Sequence, residues 1–391
     1  MNEVLPEGWE RKKLGDLATL EYGKSPKKIL DINGKYPIIG TGGVVGRSSS
    51  YLCDGNTTII GRKGTINTPI FVSNKFWAID TTYYTVNYKN TFPKWFFYYL
   101  QRINLKKYNE ASGVPSLNRN TLYSILFLSP PLSEQKKIAS ILSSIDEVIE
   151  KTTAQVVKLK DLKTSLMQEL LTKGIGHSEF KDSPVGRIPV EWEVVSLGKK
   201  ATIIPGYAFS SNNFVSKGVP LIRMGNLYQN QLNLSRAPKY MPRDFIEKHS
   251  KFAIYENDIV FSMTGTAGKE DYGFAVKIPK NTPTCLLNQR VAKVISNKYV
   301  STDFILHLMH SRFFLDEIYA IGAGTKQANL STTNILSVNL PFPPLKEQKE
   351  IAKILTSVDQ KITTTNQKLS ALTHTKKALM QDLLTGKKRV M

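Results

Sequence analysis

Pro131-Leu132-Ser133-Glu134-Gln135-Lys136 returns as Pro344-Leu345-Lys346-Glu347-Gln348-Lys349, 213 positions further along the chain. The match continues without a gap to Leu166-Met167-Gln168 and Leu379-Met380-Gln381, with about half of the positions identical. Within it, Ile138, Leu142, Ile145, Ile149, Thr152, Val156, Leu159, Lys163, Leu166 and Leu170 step alternately by four and three residues. Their counterparts are Ile351, Leu355, Val358, Ile362, Thr365, Leu369, Leu372, Lys376, Leu379 and Leu383, so even the threonine and lysine rungs recur. That period is a coiled-coil seam, and a seam so narrow gains most by packing along a second helix. The spacing predicts two long helices paired antiparallel.

Outward from the helices, the rest of the chain is duplicated too, which a search for internal repeats reveals. Pro6, Trp9, Leu14-Gly15 and Pro37 correspond to Pro189, Trp192, Leu197-Gly198 and Pro220 at an offset of 183. Gly64-Thr65 corresponds to Gly265-Thr266 at 201, and the strand-like Thr82 to Val86 to Val291 through Ile295 at 209. The offset only rises, so the second copy shares the fold of the first and carries insertions of 18, 8 and 4 residues. The expected fold class is α+β. Two mixed α/β globular domains (1–130 and 189–343) are each followed by a long helix (131–173 and 344–391), with a linker at 174–188 and pseudo-two-fold symmetry.

The 391 residues exceed a usual single core, and Lys+Arg 53 against Asp+Glu 32 leaves a net charge of +21. Such a charge attracts polyanions and makes nucleic acid the leading partner class. No apolar run reaches the length of a bilayer span and no signal-peptide core follows Met1, so a cytoplasmic protein without membrane contact is expected. Two cysteines, Cys53 and Cys285, are too few for a disulfide scaffold and read as buried or half-buried small residues.

In each globular copy a strand runs into a polar, glycine-containing loop: Gly61-Arg62-Lys63-Gly64-Thr65 and Ser262-Met263-Thr264-Gly265-Thr266. Glycine removes the side-chain obstruction to a phosphate or base edge, while Arg, Lys and Thr supply donors. The candidate DNA contacts are Arg62, Lys63 and Thr65 in the first copy and Thr264, Thr266 and Lys269 in the second. Arg62, with its planar fork, is the expected base reader and Lys63 the expected phosphate anchor. Arg47 in the glycine-rich segment Gly40 to Ser48, Arg223, and Lys326 and Gln327 in Gly322 to Gln327 complete the set. Plain turn geometry would equally explain the glycines.

Pro-Pro-Leu-x-Glu-Gln opening a long helix twice, after two divergent domains each introduced by Trp-Glu and Leu-Gly, resembles the specificity subunits of type I restriction-modification systems. The resemblance covers nearly the whole chain. It implies two target recognition domains, each reading half of a split site in double-stranded DNA. It also implies that the conserved helices dock two modification subunits, through Glu134, Gln135, Ile138, Leu142 and Ile145 and through Glu347, Gln348, Ile351, Leu355 and Val358, residues that also pair the helices. S-adenosylmethionine then belongs to the modification subunits, and ATP and Mg2+ to restriction subunits, with no cofactor or metal in this chain.

The catalytic look-alikes fail. Ser129-Pro130-Pro131-Leu132 and Phe342-Pro343-Pro344-Leu345 lack the aromatic residue with which amino-methyltransferases stack a flipped base, and Gly23-Lys24-Ser25 has Ala18 where a phosphate-binding loop needs glycine. His307 and His310 suggest a metal pair, but Tyr98 and Gln101 stand at the corresponding positions, so surface helix residues are expected. A non-catalytic recognition subunit is the leading reading. A self-sufficient DNA-binding scaffold without methyltransferase partners and an enzyme with an unrecognised site remain as alternatives.

Overall fold

The computed structural model describes residues 5–266, 268–322 and 327–390. Both repeat helices form, Leu132–Leu170 and Leu345–Leu383, each of 39 residues and so about 58 Å long at 1.5 Å per residue. All ten seam positions of each are buried or half-buried. The chain divides into two compact units that do not follow chain order: 1–155 with 365–391, and 156–364. Each unit therefore holds one globular copy, the first half of its own helix and the last half of the other.

In the first unit, Thr19–Tyr22, Thr82–Val86, Thr57–Gly61 and Ile70–Val72 form an antiparallel sheet in that spatial order. A second sheet orders Gly43–Ser48, Tyr36–Gly40 and Trp77–Ala78, the last two parallel. Helix Pro93–Arg102 starts with proline, whose missing N–H is no loss in the first turn, and buries Trp95 through Leu100 consecutively. A helix apolar on all sides belongs in a core. Phe127 stacks on Tyr99 and Phe96 there, with ring centroids 4.2 and 5.1 Å away. The same core takes in Ile138, Ala139 and Leu142 from the start of the first long helix and Leu383 and Leu384 from the end of the second.

The second unit repeats this plan. Ala201–Pro205, Val291–Ser296, Ile259–Ser262 and Ala275–Lys277 make the antiparallel sheet, and Val219–Ile222 pairs parallel with Cys285–Leu287 in the other. At the edge of that sheet Ala253–Ile254 pairs antiparallel with Cys285–Leu287, where the first unit has a single bridge, Cys53 to Phe76. Its core gathers Ile351, Ala352 and Leu355 with Leu170 and Leu171. In both units, then, the beginning of one long helix runs against the end of the other, which is antiparallel pairing. Cys285 is buried and Cys53 half-buried, both as free thiols. The 174–188 stretch carries half of a short hairpin, Phe180–Lys181 paired with Ile188–Pro189, and Ile188 is fully buried.

Candidate nucleic-acid interface

The two strand-loop segments occupy one structural frame. In the first unit Lys63 bridges to Ser116, Gly64 N donates to Pro115 O and Leu117 N to Arg62 O, both at 2.9 Å. Gly64 has φ +85°, a left-handed conformation that favours glycine. In the second unit the equivalent bridge has grown into a strand pair, Thr264–Thr266 with Gln327–Asn329. At Gly265 a Cβ would lie 2.5 Å from a carboxylate oxygen of Asp271 and 2.6 Å from the Tyr272 ring, so glycine is required by packing.

The side chains on that frame differ sharply. Arg62 is half-buried, Lys63 and Thr65 are exposed, and among the described residues no carboxylate lies within ion-pair distance of Arg62 or Lys63. In the second unit Thr264 is buried with its hydroxyl donated to Asn329 Oδ1 at 3.1 Å, which removes it from the exposed donors. Thr266 is exposed, but its hydroxyl and its N–H both donate to Asp271, at 2.8 and 2.7 Å. Lys269 and Arg223 are exposed. Lys326 lies outside the described residues, as do Ala323, Gly324 and Thr325 of its segment, and Gln327 is placed by its backbone alone. The Gly40 to Ser48 segment is a β-hairpin, in which Arg47 Nε and Nη2 donate to the carbonyls of Gly34 and Lys35 at 2.6 and 3.0 Å. Arg47 thus fastens a neighbouring loop with its fork.

The helix motif has an internal task. Glu134 accepts from the Trp9 indole at 3.1 Å, and Glu347 from the Trp192 indole at 3.0 Å. Gln135 donates to Pro130 O at 2.9 Å and accepts from Phe92 N at 2.8 Å; Gln348 donates to Pro343 O at 2.8 Å and accepts from Ser301 N at 3.0 Å. Glu134, Gln135 and Gln348 are buried, and Glu347 is 12% exposed. The polar atoms of these four, expected to dock modification subunits, tie each helix start to its own domain. Ile138, Leu142, Ile351 and Leu355 are likewise core residues, while Ile145 and Val358 are half-buried seam positions. The segment following each helix adds to the same carboxylates. Arg389 reaches Glu134 through Nε at 2.9 Å and Nη2 at 3.0 Å, and His177 Nε2 lies 2.9 Å from Glu347.

Further along the helices the lysine rungs find partners that sequence reading left unnoticed. Lys163 pairs with Asp359 and Lys376 with Asp146, each at 2.7 Å. Because Asp146 and Asp359 are themselves repeat mates, the two ion pairs are one contact made twice with the copies exchanged. Tyr98 joins this layer by donating to Asp146 at 2.8 Å and to Ser143 at 3.3 Å. In the second unit His307 takes the place of Tyr98, with Nε2 3.0 Å from Thr356 Oγ1. His307 is fully buried, so it is not the surface helix residue expected, while His310 is half-buried with Nε2 donating to Ala275 O at 2.8 Å. Burial, with the neighbouring imidazole and Lys163 adding to it, lowers the His307 pKa to about 4; burial and Lys163 lower that of His310 to about 4. Among the described residues no cluster of three or more His, Cys, Asp or Glu is placed to hold a metal, and no helix is long and apolar enough to cross a membrane.

Comparison with known proteins agrees with this duplicated plan. Residues 6–159 and 189–374 match the family described as the type I restriction modification DNA specificity domain. The chain is 29% identical over 416 residues to the type I restriction enzyme MjaVIII specificity subunit of Methanocaldococcus jannaschii, covering 99% of this chain and 94% of that protein. It is 32% identical over 318 residues to the putative MjaX specificity subunit of the same organism, covering 77% and 70%. The crystal structure of the type I system S subunit from M. genitalium superposes with a TM-score of 0.70 at 15% identity, over 98% of this chain and 97% of that one. Twin recognition domains on a shared frame, each tied to a long helix by the same Glu-Gln lock, belong with those matches: the chain is a member of the type I restriction-modification DNA specificity family and serves as the recognition component of such a system.

Proposed function

We propose that this chain directs a DNA methyltransferase to a bipartite, asymmetric target, each domain reading one half-site. The observation that carries the reading is one frame bearing two chemistries. Where the first copy presents Arg62, Lys63 and Arg119, the second has Met263, Thr264 and Thr332. Domains that set cationic groups in one copy and neutral or buried groups in the other at equivalent places of one frame do not present the same surface to DNA, so the half-sites differ and the target is not a palindrome. Two modification subunits dock on the helix pair and bring S-adenosylmethionine for adenine methylation. Restriction subunits add ATP- and Mg2+-dependent translocation and cleavage, and this chain contributes no catalytic group. The seam faces and Glu-Gln locks being occupied, docking falls to the outward helix faces.

The test exchanges Pro189 to Pro343 for the same segment of a relative and maps methylated adenines genome-wide in cells carrying the assembled methyltransferase. One half of the motif changes and the other persists. Simultaneous change of both halves would overturn the independent-reader model.

A further inference from the structure

We propose that Arg119, which no sequence feature singled out, joins Arg62 on the ring of Tyr22 to form a two-guanidinium clamp for a backbone phosphate of the first half-site. The inference rests on the reading of this domain as a DNA reader and assigns it a site.

The ζ-carbon of Arg119 lies 5.0 Å from the centroid of the Tyr22 ring and that of Arg62 5.5 Å from it. Tyr22 is 42% exposed, and its other neighbour is Tyr83, 5.0 Å away between centroids. The placement is built rather than incidental. Hydrogen bonds from Gly64 N to Pro115 O and from Leu117 N to Arg62 O hold the Arg62 loop against the segment leading to Asn118 and Arg119. Asn118 caps the short helix Arg119–Tyr123 by accepting from Asn120 N at 2.8 Å, which fixes Arg119 as its first residue.

Both guanidiniums bear on one ring and both act on the Tyr83 phenol, so two positive charges share one site and favour an anion there. Among the described residues neither guanidinium has a carboxylate within ion-pair distance, and Arg62 Nε is buried without a hydrogen-bond partner. Tyr83 supplies no counter-charge: burial first, then the Tyr22 hydroxyl, pushes its phenol up to about 12, so it stays neutral. A ring quadrupole offsets part of the repulsion, and a phosphodiester meeting both forks offsets the rest. Arg62 therefore moves from expected base reader to phosphate anchor, its guanidinium seated on the ring and its Nε turned inward. The second unit has no counterpart, since Met263 and Thr332 stand at the equivalent positions.

The experiment measures affinity of the full chain, assembled with its modification subunits, for a duplex carrying the mapped motif and for a scrambled duplex, across a salt series. Arg62→Ala and Arg119→Ala each weaken both duplexes alike, on the order of tenfold at low salt, and each reduces the salt slope by about 0.9. Arg119→Lys keeps the slope. Unchanged affinity and slope in Arg119→Ala would overturn the clamp, as would relaxed selectivity at a single base pair, which marks a base reader. A fall in melting temperature for Arg119→Ala would also overturn it by giving the side chain a structural role. Wild-type protein binding both duplexes equally would instead refute sequence recognition itself.

Discussion

Replacing His307 by Tyr and His310 by Gln installs in the second unit the pair found at the same helix positions of the first, Tyr98 and Gln101. The substitution should abolish a pH dependence that the wild-type unit carries. Burial, joined by His310 and Lys163 against the weaker pull of Asp359 and Asp303, holds the folded pKa of His307 near 4, below the 6.5 of an exposed imidazole. The unfolded chain therefore takes up the proton first as the pH falls. Stability is fully present above pH 6.5, declines as the pH drops from 6.5 towards 4, and loses nothing further from this group once both states are protonated. A displacement of about 2.5 pH units is worth roughly 3 kcal/mol for His307 alone, and His310 acts in the same direction, against a total domain stability of about 5 to 15 kcal/mol. Urea unfolding of the full chain at pH 7.0, 6.0, 5.0 and 4.5 reads the effect, and Trp192 is the one tryptophan of the second unit. Carboxylates titrate in both proteins, so the quantity that matters is the wild-type loss minus the variant loss. Equal losses between pH 7.0 and 4.5 would refute the claim that these imidazoles stay neutral in the folded unit.

Trp192→Phe keeps an aromatic ring in the core but removes the donor to Glu347, and should destabilise the second unit by about 1.5 to 3 kcal/mol in denaturant melts, with Trp9→Phe acting alike on the first. A loss below 0.5 kcal/mol on that ~1.5 to 3 scale would show that the lock contributes little. Inserting one heptad beside Ala154 together with one beside Gln367 preserves the seam, adds about 10 Å to each helix, and should lengthen the unread spacer of the methylated motif by roughly 3 base pairs while leaving both half-sites intact. An active complex with an unchanged spacer would exclude the helix pair as its ruler.

Sequence alone determined the duplication, the two long helices, their seam and the family resemblance, because each is written in local spacing or in repetition along the chain. Alternating steps of four and three residues encode a helix face whatever lies opposite it, and a repeat at offset 213 survives without knowledge of contacts. Even the register was latent there: Asp146 and Lys163 recur as Asp359 and Lys376, although their crosswise pairing follows only once the helices lie antiparallel. What the tertiary structure decided depends on residues far apart in the chain. Glu134 reads as an exposed helix-start acid until Trp9 and Arg389, 125 and 255 positions away, close over it. Thr264 reads as a loop donor until Asn329 takes its hydroxyl, and His307 as a surface residue until the second long helix covers it. Tyr22 and Arg119 gave no signal, since neither stands in a glycine-bearing loop: sheet pairing through Thr82–Val86 brings Tyr22 beside Arg62, and backbone hydrogen bonds between 62–64 and 115–117 bring Arg119 there. Burial and charge environment are properties of assembled surfaces, and pattern along one strand or helix specifies which face is apolar without specifying which distant group will meet it.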